Sequence, residues 1–431
     1  MPHVDIFLEQ FLKEIISVSN EGIKMSNRSV KLIVTAFICD APARADLKRI
    51  VGHAAYFSCE RCIQKGVMAS HHVALLECDA AKRTDESYLT IEHSEHHKEG
   101  PISTISNLGI GMVSSFPLDY MHLCCLGISK RLMVRWTSSK KMETKCHLSA
   151  LQRDLLEKQL HTYSLHVPSE FRRKLNSGFH NFKFWKATEF RQFLVYAGIV
   201  VLKDILPDAL YDNFLHLAIS MRLLLTKHQD VNMENVSTLL KTFVQGAKKM
   251  YGNGFVSYNV HCVLHLPEDY CHFGALDNIS CFPFENYLGV FIKGRLTGRN
   301  KPLQQINRHV SNENNNFQPH NSDCKDTDKH FFINNILFTK QSFAGRNNCI
   351  LTNTGKIGYI TSFHDDKFVM TEFASDSLFT KPCNSQDVWI YKLTFKKSGP
   401  TEFLRTEIFS KVILVPQKEY FVAIAMLNFN N

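Results

Sequence analysis

The residues with the most chemical potential in this chain are two widely separated pairs. Cys59 and Cys62 form a Cys-x2-Cys pair. A tight turn at that spacing aims two thiolates at one point, where they can share a tetrahedral zinc ion. Two ordinary thiols in a loop leave the same trace. His261 and His265 stand four apart, so on a helix both imidazoles share one face and suit one metal. A surface or core histidine pair is the commoner meaning of that spacing. Together the pairs complete a Cys2His2 set, and no other Cys-x2-Cys competes for it. Their separation of about 200 residues is long for a zinc finger. It fits a metal that staples two distant segments of one fold.

Two carboxylates frame this set. Asp40 ends the apolar run VKLIVTAFIC, nineteen residues before Cys59. Glu285 lies in FPFENY, twenty residues after His265. Carboxylates so placed can hold Mg(II) for phosphoryl transfer, with two ions ~3.5–4 Å apart clamping the attacking and leaving oxygens. Spacing alone also allows a turn Asp beside Pro42 and a solvated helix-terminal Glu285.

The elements that must position these groups can be read from periodicity. Residues 5–18 repeat apolar side chains (Phe7, Leu8, Phe11, Leu12, Ile15, Ile16) at helical spacing. The β-branched run 30–39 predicts a buried strand that Asp40-Ala41-Pro42 would end, and helical signals resume at Ala43–His53. The stretch 59–110 is polar and irregular; its His93, His96 and His97 could bind metal but read more simply as loop residues. Residues 112–118 predict a short strand. From about 123 to 250 the pattern is helical, with Leu151, Leu155, Leu156 and Leu160 on one face. Six Asn from Asn307 to Asn321 mark a linker. After about 345, short β-rich runs separated by Gly, Asp, Ser and Pro predict a small all-β domain. There is no internal repeat.

Composition sets the outer bounds. A chain of 431 residues has room for two or three domains. With 44% hydrophobic and 21% charged residues it is neither disordered, collagenous nor coiled coil. Its net charge of +9 suits a polyanion such as DNA, though weakly at this length. Met1–Ile15 has no secretory pattern, and the longest apolar run, Phe193–Leu202, is too short to cross a bilayer. The expectation is a soluble, intracellular protein whose thirteen Cys are buried thiols or metal ligands rather than disulfides.

Several strings now converge on one family. CDAPAR (Cys39–Arg44), the Cys-x2-Cys that follows, LDYMHL (Leu118–Leu123) with Gly127 beyond it, WKATEFR (Trp185–Arg191), NVHCVLHL (Asn259–Leu266) and FPFENYLG (Phe282–Gly289) occur in this order. The chain resembles the DDE transposases of the CMC group, which includes the CACTA (En/Spm-like) elements. The motif order is also similar to that of the V(D)J recombinase catalytic core. The resemblance runs from about residue 1 to 310.

It implies an α/β fold: an RNase H-like core with a long all-helical insertion before the last catalytic helix. It implies acidic residues that bind divalent metal and cleave and join DNA, with Asp40 matching the second acid and Glu285 the last. Cys59, Cys62, His261 and His265 match the family's structural zinc set. Asp119 and His122 match a D-x2-H motif that braces the site or meets the scissile region; a helix-capping Asp with a buried His is the competing reading. The family's first catalytic Asp, on the first strand of the core, has no counterpart in this chain. The core is therefore expected to lack its first strands, and strand transfer to be inactive, as in a truncated or degenerate element.

The domain expectation follows. Residues 1–122 form a partial RNase H-like core with the Cys-x2-Cys loop, 123–256 the helical insertion, 257–306 the last catalytic-helix segment, 307–344 the Asn-rich linker and 345–431 a small β-rich domain. Basic residues cluster in Gly127–His147, in Phe171–Arg191 and in Asn286–Asn312. The third follows Glu285, and its Lys293, Arg295, Arg299 and Lys301 are the candidate DNA contacts, where phosphates would be neutralised. Expected cofactors are a structural Zn(II), and Mg(II) or Mn(II) if the core is catalytic. The expected partner is DNA, with no membrane; homo-oligomers fit the class. The expected location is the nucleus, or the cytoplasm before import. Two readings oppose this one: a domesticated, non-catalytic, zinc-stapled DNA- or chromatin-binding protein, and a complete nuclease that recruits its first acid from elsewhere in the chain.

Overall fold

The computed structural model describes residues 4–25, 28–137, 146–175, 177–227, 231–292, 327, 329–340 and 346–427. The fold is mixed α/β, with a helical majority up to residue 292 and an all-β domain at the C-terminal end. It divides into two compact units. The first comprises Met1–Ser164, Arg173–Ile279 and Phe379–Val388; the second comprises Leu165–Arg172, Ser280–Leu378 and Trp389–Asn431.

The first unit opens with α1 (Val4–Glu21), whose Leu12 packs with Ala45, Ile50, Tyr88, Ile105 and Phe116. A small hairpin, β1 (Ile23–Met25) with β2 (Arg28–Val30), follows. The strand expected over 30–39 is not formed: past Val30 the chain to Asp40 runs without a ladder. Neither is the strand expected over 112–118. The physical reason is visible. The two segments do lie side by side, with Phe37 N donating to Ser115 O at 2.9 Å and the Phe37 and Phe116 rings stacked 5.3 Å apart. Pairing stops there because Asp85 takes the backbone amides. Its carboxylate accepts from Val113 N at 2.6 Å, Ser114 N at 3.0 Å and the Ser114 hydroxyl at 2.6 Å. That curls residues 112–115 into a turn and leaves the neighbouring run without a partner strand.

Helix α2 (Ala41–Leu47) is shorter than the expected Ala43–His53. Asp40 caps it, Pro42 occupies its first turn, and the left-handed backbone of Arg49 lies just beyond its end. The stretch after it holds a hairpin, β3 (Val67–Ala69) with β4 (His72–Ala74), and a one-turn α3 (Asp85–Leu89) with a capping box from Thr84. A π-helical run, Met121–Ser129, leads into α4 (Lys130–Thr137). The expected helical stretch is present as α5 (Ala150–His166), α6 (Ala187–Gln192), α7 (Gly198–Val201), α8 (Asp208–Leu225) and α9 (Met233–Tyr251). On α5 only Leu156 and Leu160 of the four expected leucines are buried; Leu151 and Leu155 are exposed. Phe179, Phe182 and Trp185 are core residues and Phe184 is exposed. Then α10 (Tyr258–Cys262), a 3-10 turn at Val263–His265 and α11 (Leu266–Phe273) form one nearly continuous helical run.

The second unit contains α12 (Phe282–Ile292), the hairpin β5 (His330–Ile333) with β6 (Ile336–Thr339), and a closed barrel. Its strands are β7 (Cys349–Thr352), β8 (Ile357–His364), β9 (Lys367–Ser377), β10 (Ile390–Leu404), β11 (Ile408–Pro416) and β12 (Phe421–Ala425), in the order β10-β12-β11-β7-β8-β9. Closure leaves no open edge, and Leu351, Tyr359, Phe373, Leu393, Leu414 and Phe421 fill one core cluster. Glu170 joins this unit because Lys411, fully buried, ion-pairs with it at 2.8 Å and also donates to Asn347 Oδ1. The hairpin β5–β6 lies within the stretch expected to be linker.

Candidate metal centre

Cys59 and Cys62 sit on a tight turn after the α2 segment, and His261 and His265 on the helical run α10–α11. The fold brings all four together. Cys59 Sγ lies 3.4 Å from His265 Nε2, Cys62 Sγ lies 3.2 Å from His261 Nε2, and the two Nε2 atoms are 3.4 Å apart. All four ligand atoms fall within 4.8 Å of one another. Tetrahedral zinc with ordinary bond lengths would place two nitrogens about 3.3 Å apart and nitrogen and sulfur about 3.5 Å apart. The observed edges match. All four residues are buried, so the set is of the closed, structural kind rather than one with an open catalytic position. The donor chemistry and the spacing fit a zinc ion.

The two thiols are shifted in opposite directions, Cys62 upward by Cys59 and by burial and Cys59 downward. Burial opposes ionisation of Cys59, but hydrogen bonds with Cys262 and Cys62 and the His265 charge outweigh it and hold the thiol well below its ordinary range. Cys262, between the two histidines in sequence, is thus a third buried thiol beside the set.

The two residues inside the cysteine turn are both charged and both buried. Glu60 accepts from Arg44 Nε at 3.0 Å, Lys48 Nζ at 3.0 Å and the Tyr258 hydroxyl at 2.6 Å. Burial would raise its carboxyl, but Arg44 and Lys48 hold it well below the usual carboxylate range. Arg61 points the other way. Its Nη2 donates to Asp269 Oδ1 at 2.6 Å and to Phe116 O at 2.9 Å, while Asp269 Oδ2 accepts from Leu118 N at 2.8 Å. Burial pushes the Asp269 carboxyl up against the pull of Arg61. The turn is therefore tied to α2 on one side, to α11 and the Leu118 segment on the other, and to α10 through Tyr258. Sequence reading missed this lattice. The signal was present, since two charges between paired cysteines must find buried partners if the cysteines are buried.

The other expected site residues occupy humbler positions. Asp40 accepts from Ala43 N at 2.9 Å as the α2 N-cap. No cluster of three or more metal-ligating groups includes it or Glu285 among the described residues. Glu285 lies exposed in the first turn of α12, in the second unit. Asp119 is buried and accepts from Met121 N at 3.2 Å, His122 N at 3.0 Å and His122 Nδ1 at 2.6 Å. It caps the π-helical run and orients the imidazole. The neighbouring Tyr120 donates to Asp277, and Arg191 donates to both, at 2.8 Å to the Tyr120 hydroxyl and 2.9 Å to Asp277 Oδ2. This anchors WKATEFR to LDYMHL. His96, expected in a loop, is buried, and its ring Nδ1 lies 2.7 Å from Phe57 O. Lys293, Arg295, Arg299 and Lys301 lie outside the described residues, as do Lys140, Lys141 and Lys145 of the first basic stretch. No described helix is long and apolar enough to cross a membrane.

No protein-family model matches this chain, and no curated protein matches it significantly.

Proposed function

We propose that this chain is a transposase-type DNA-binding protein with an RNase H-like core held together by a structural zinc ion. The observation that carries the reading is the meeting of Cys59 and Cys62 with His261 and His265, from motifs at opposite ends of the proposed core, at tetrahedral-zinc spacings. That is what the resemblance to CMC-group transposases implies for those four positions. Three further contacts support it. The segments 31–39 and 112–118, which would be neighbouring strands of such a core, touch through Phe37, Ser115 and Phe116. Arg191 ties the WKATEFR string to Tyr120. Asp269, just past the second histidine, ties the metal turn to Leu118.

The non-catalytic version of this function is the better supported. Asp40, the matched second acid, is engaged as a helix cap, and two-metal chemistry needs carboxylates gathered at one place. DNA binding of this kind would act in the nucleus through basic residues.

The test uses the full chain. Purified protein should carry about one zinc by elemental analysis, a closed Cys2His2 set holding one ion, and should shift duplex DNA with an affinity that falls steeply as salt rises. Cys59→Ser should lose the metal. A folded, metal-free wild type, or no DNA binding even at about 50 mM salt, would sink the reading. Mg(II)- or Mn(II)-dependent nicking would overturn its non-catalytic part and leave the zinc intact.

A further inference from the structure

Arg83 belongs to none of the motifs above. It comes from a segment that runs beside the cysteine turn. Its backbone N–H donates to Arg61 O at 2.9 Å, and Ile63 N donates to Ala81 O at 2.9 Å, so residues 81–83 pair with 61–63 as a short antiparallel bridge. The side chain then folds back across the turn. Its Nε donates to the carbonyl of Cys59 at 3.0 Å and to that of Cys62 at 3.1 Å. A single guanidinium N–H thus holds the main chain at both thiol-bearing residues.

The place of Arg83 is as telling as its hydrogen bonds. The residue is buried, and no carboxylate pairs with it among the described residues. Its Nη2 has no hydrogen-bond partner, and the residue lines a cavity of about 10 Å³ together with Lys48, Ser87 and His96, room for one water. A buried guanidinium without a counter-ion is costly. A bound zinc would cancel the charge of the two thiolates, so what Arg83 gives the site is its hold on the two carbonyls.

We propose that Arg83 is a positioning residue for the metal, clasping the Cys59–Cys62 turn through both carbonyls. This rests on the zinc reading above and deepens it. Groups that support the ligands from outside typically change metal affinity about ten- to a hundredfold when removed.

The experiment measures zinc affinity of the full chain by competition with a chromophoric chelator, together with the visible d–d spectrum of the cobalt(II)-substituted protein. Arg83→Met should weaken zinc about ten- to a hundredfold and alter the cobalt bands. Arg83→Lys keeps the charge and several donors, and should recover most of the affinity. A general packing role would not separate these two variants or move the cobalt spectrum. If Arg83→Met does not fold, Arg83→Gln carries the same expectation, because the guanidinium N–H that holds both carbonyls is gone. Unchanged affinity and spectrum in the neutral variant, with a zinc-loaded wild type, overturn this inference alone. A wild type that binds no zinc overturns the metal site and this inference with it.

Discussion

Glu60 stands between the two cysteines of the metal set, and its carboxylate binds Arg44 Nε at 3.0 Å, with neither side chain more than 4% exposed. The same carboxylate takes Lys48 at 3.0 Å. Removing it would strand two buried cations. Glu60→Ala should cost about 3–5 kcal/mol of stability, measured by urea unfolding of the zinc-loaded protein. A loss below about 1 kcal/mol, the size of an exposed pair, would mean that the lattice is solvated and the account wrong.

His96 makes stability depend on pH. Burial, then the nearby Arg83, pushes its imidazole down to about 3, against the hydrogen bond to Phe57 O; Lys48 lowers it further and Glu60 opposes. The unfolded chain protonates this histidine near pH 6.5, whereas the folded one stays neutral to about 3. Between those values the unfolded state binds more protons. Stability is therefore highest above pH 6.5 and falls as the pH drops, by up to about 1.4 kcal/mol per unit from this residue. Going from pH 7 to 5 should remove about 2 kcal/mol, a loss that His96→Asn should not show. Parallel pH profiles for the two proteins would refute it.

Asp40 should behave as a cap. Asp40→Ala should cost about 1 kcal/mol, and Asp40→Ser, which can accept from Ala43 N, should restore most of it. Thermal melts read the difference. Manganese-dependent nicking that disappears in Asp40→Ser would show a metal-binding role instead.

Gly127 tests the packing of the π-helical run against α10. A Cβ there would lie 2.4 Å from Asn259 Nδ2 and 2.9 Å from His122 O. Helix propensity favours Gly127→Ala by about 1 kcal/mol, but the backbone contact cannot move aside. A net loss of about 1–3 kcal/mol is expected, together with weaker zinc binding, because Asn259 sits two residues before His261. A stabilised Gly127→Ala protein would contradict it.

The sequence by itself determined the candidate metal donors, the helical stretch and the β domain. Cys59, Cys62, His261 and His265 were legible because donor type and local spacing are properties of neighbours in the chain. The helices α1, α8 and α9 and the runs of the β domain were legible because hydrophobic periodicity is local too. Only the tertiary structure decided what those residues meet. The run 30–39 has strand composition yet no ladder, because Asp85 claims the amides of Val113 and Ser114, and a strand exists only with a partner. Which groups Glu60, Arg61 and Arg83 meet was invisible for the same reason. A charge can be buried only where distant segments bring its counter-charges and carbonyls, and those segments are α2, α10, α11 and the cysteine turn itself.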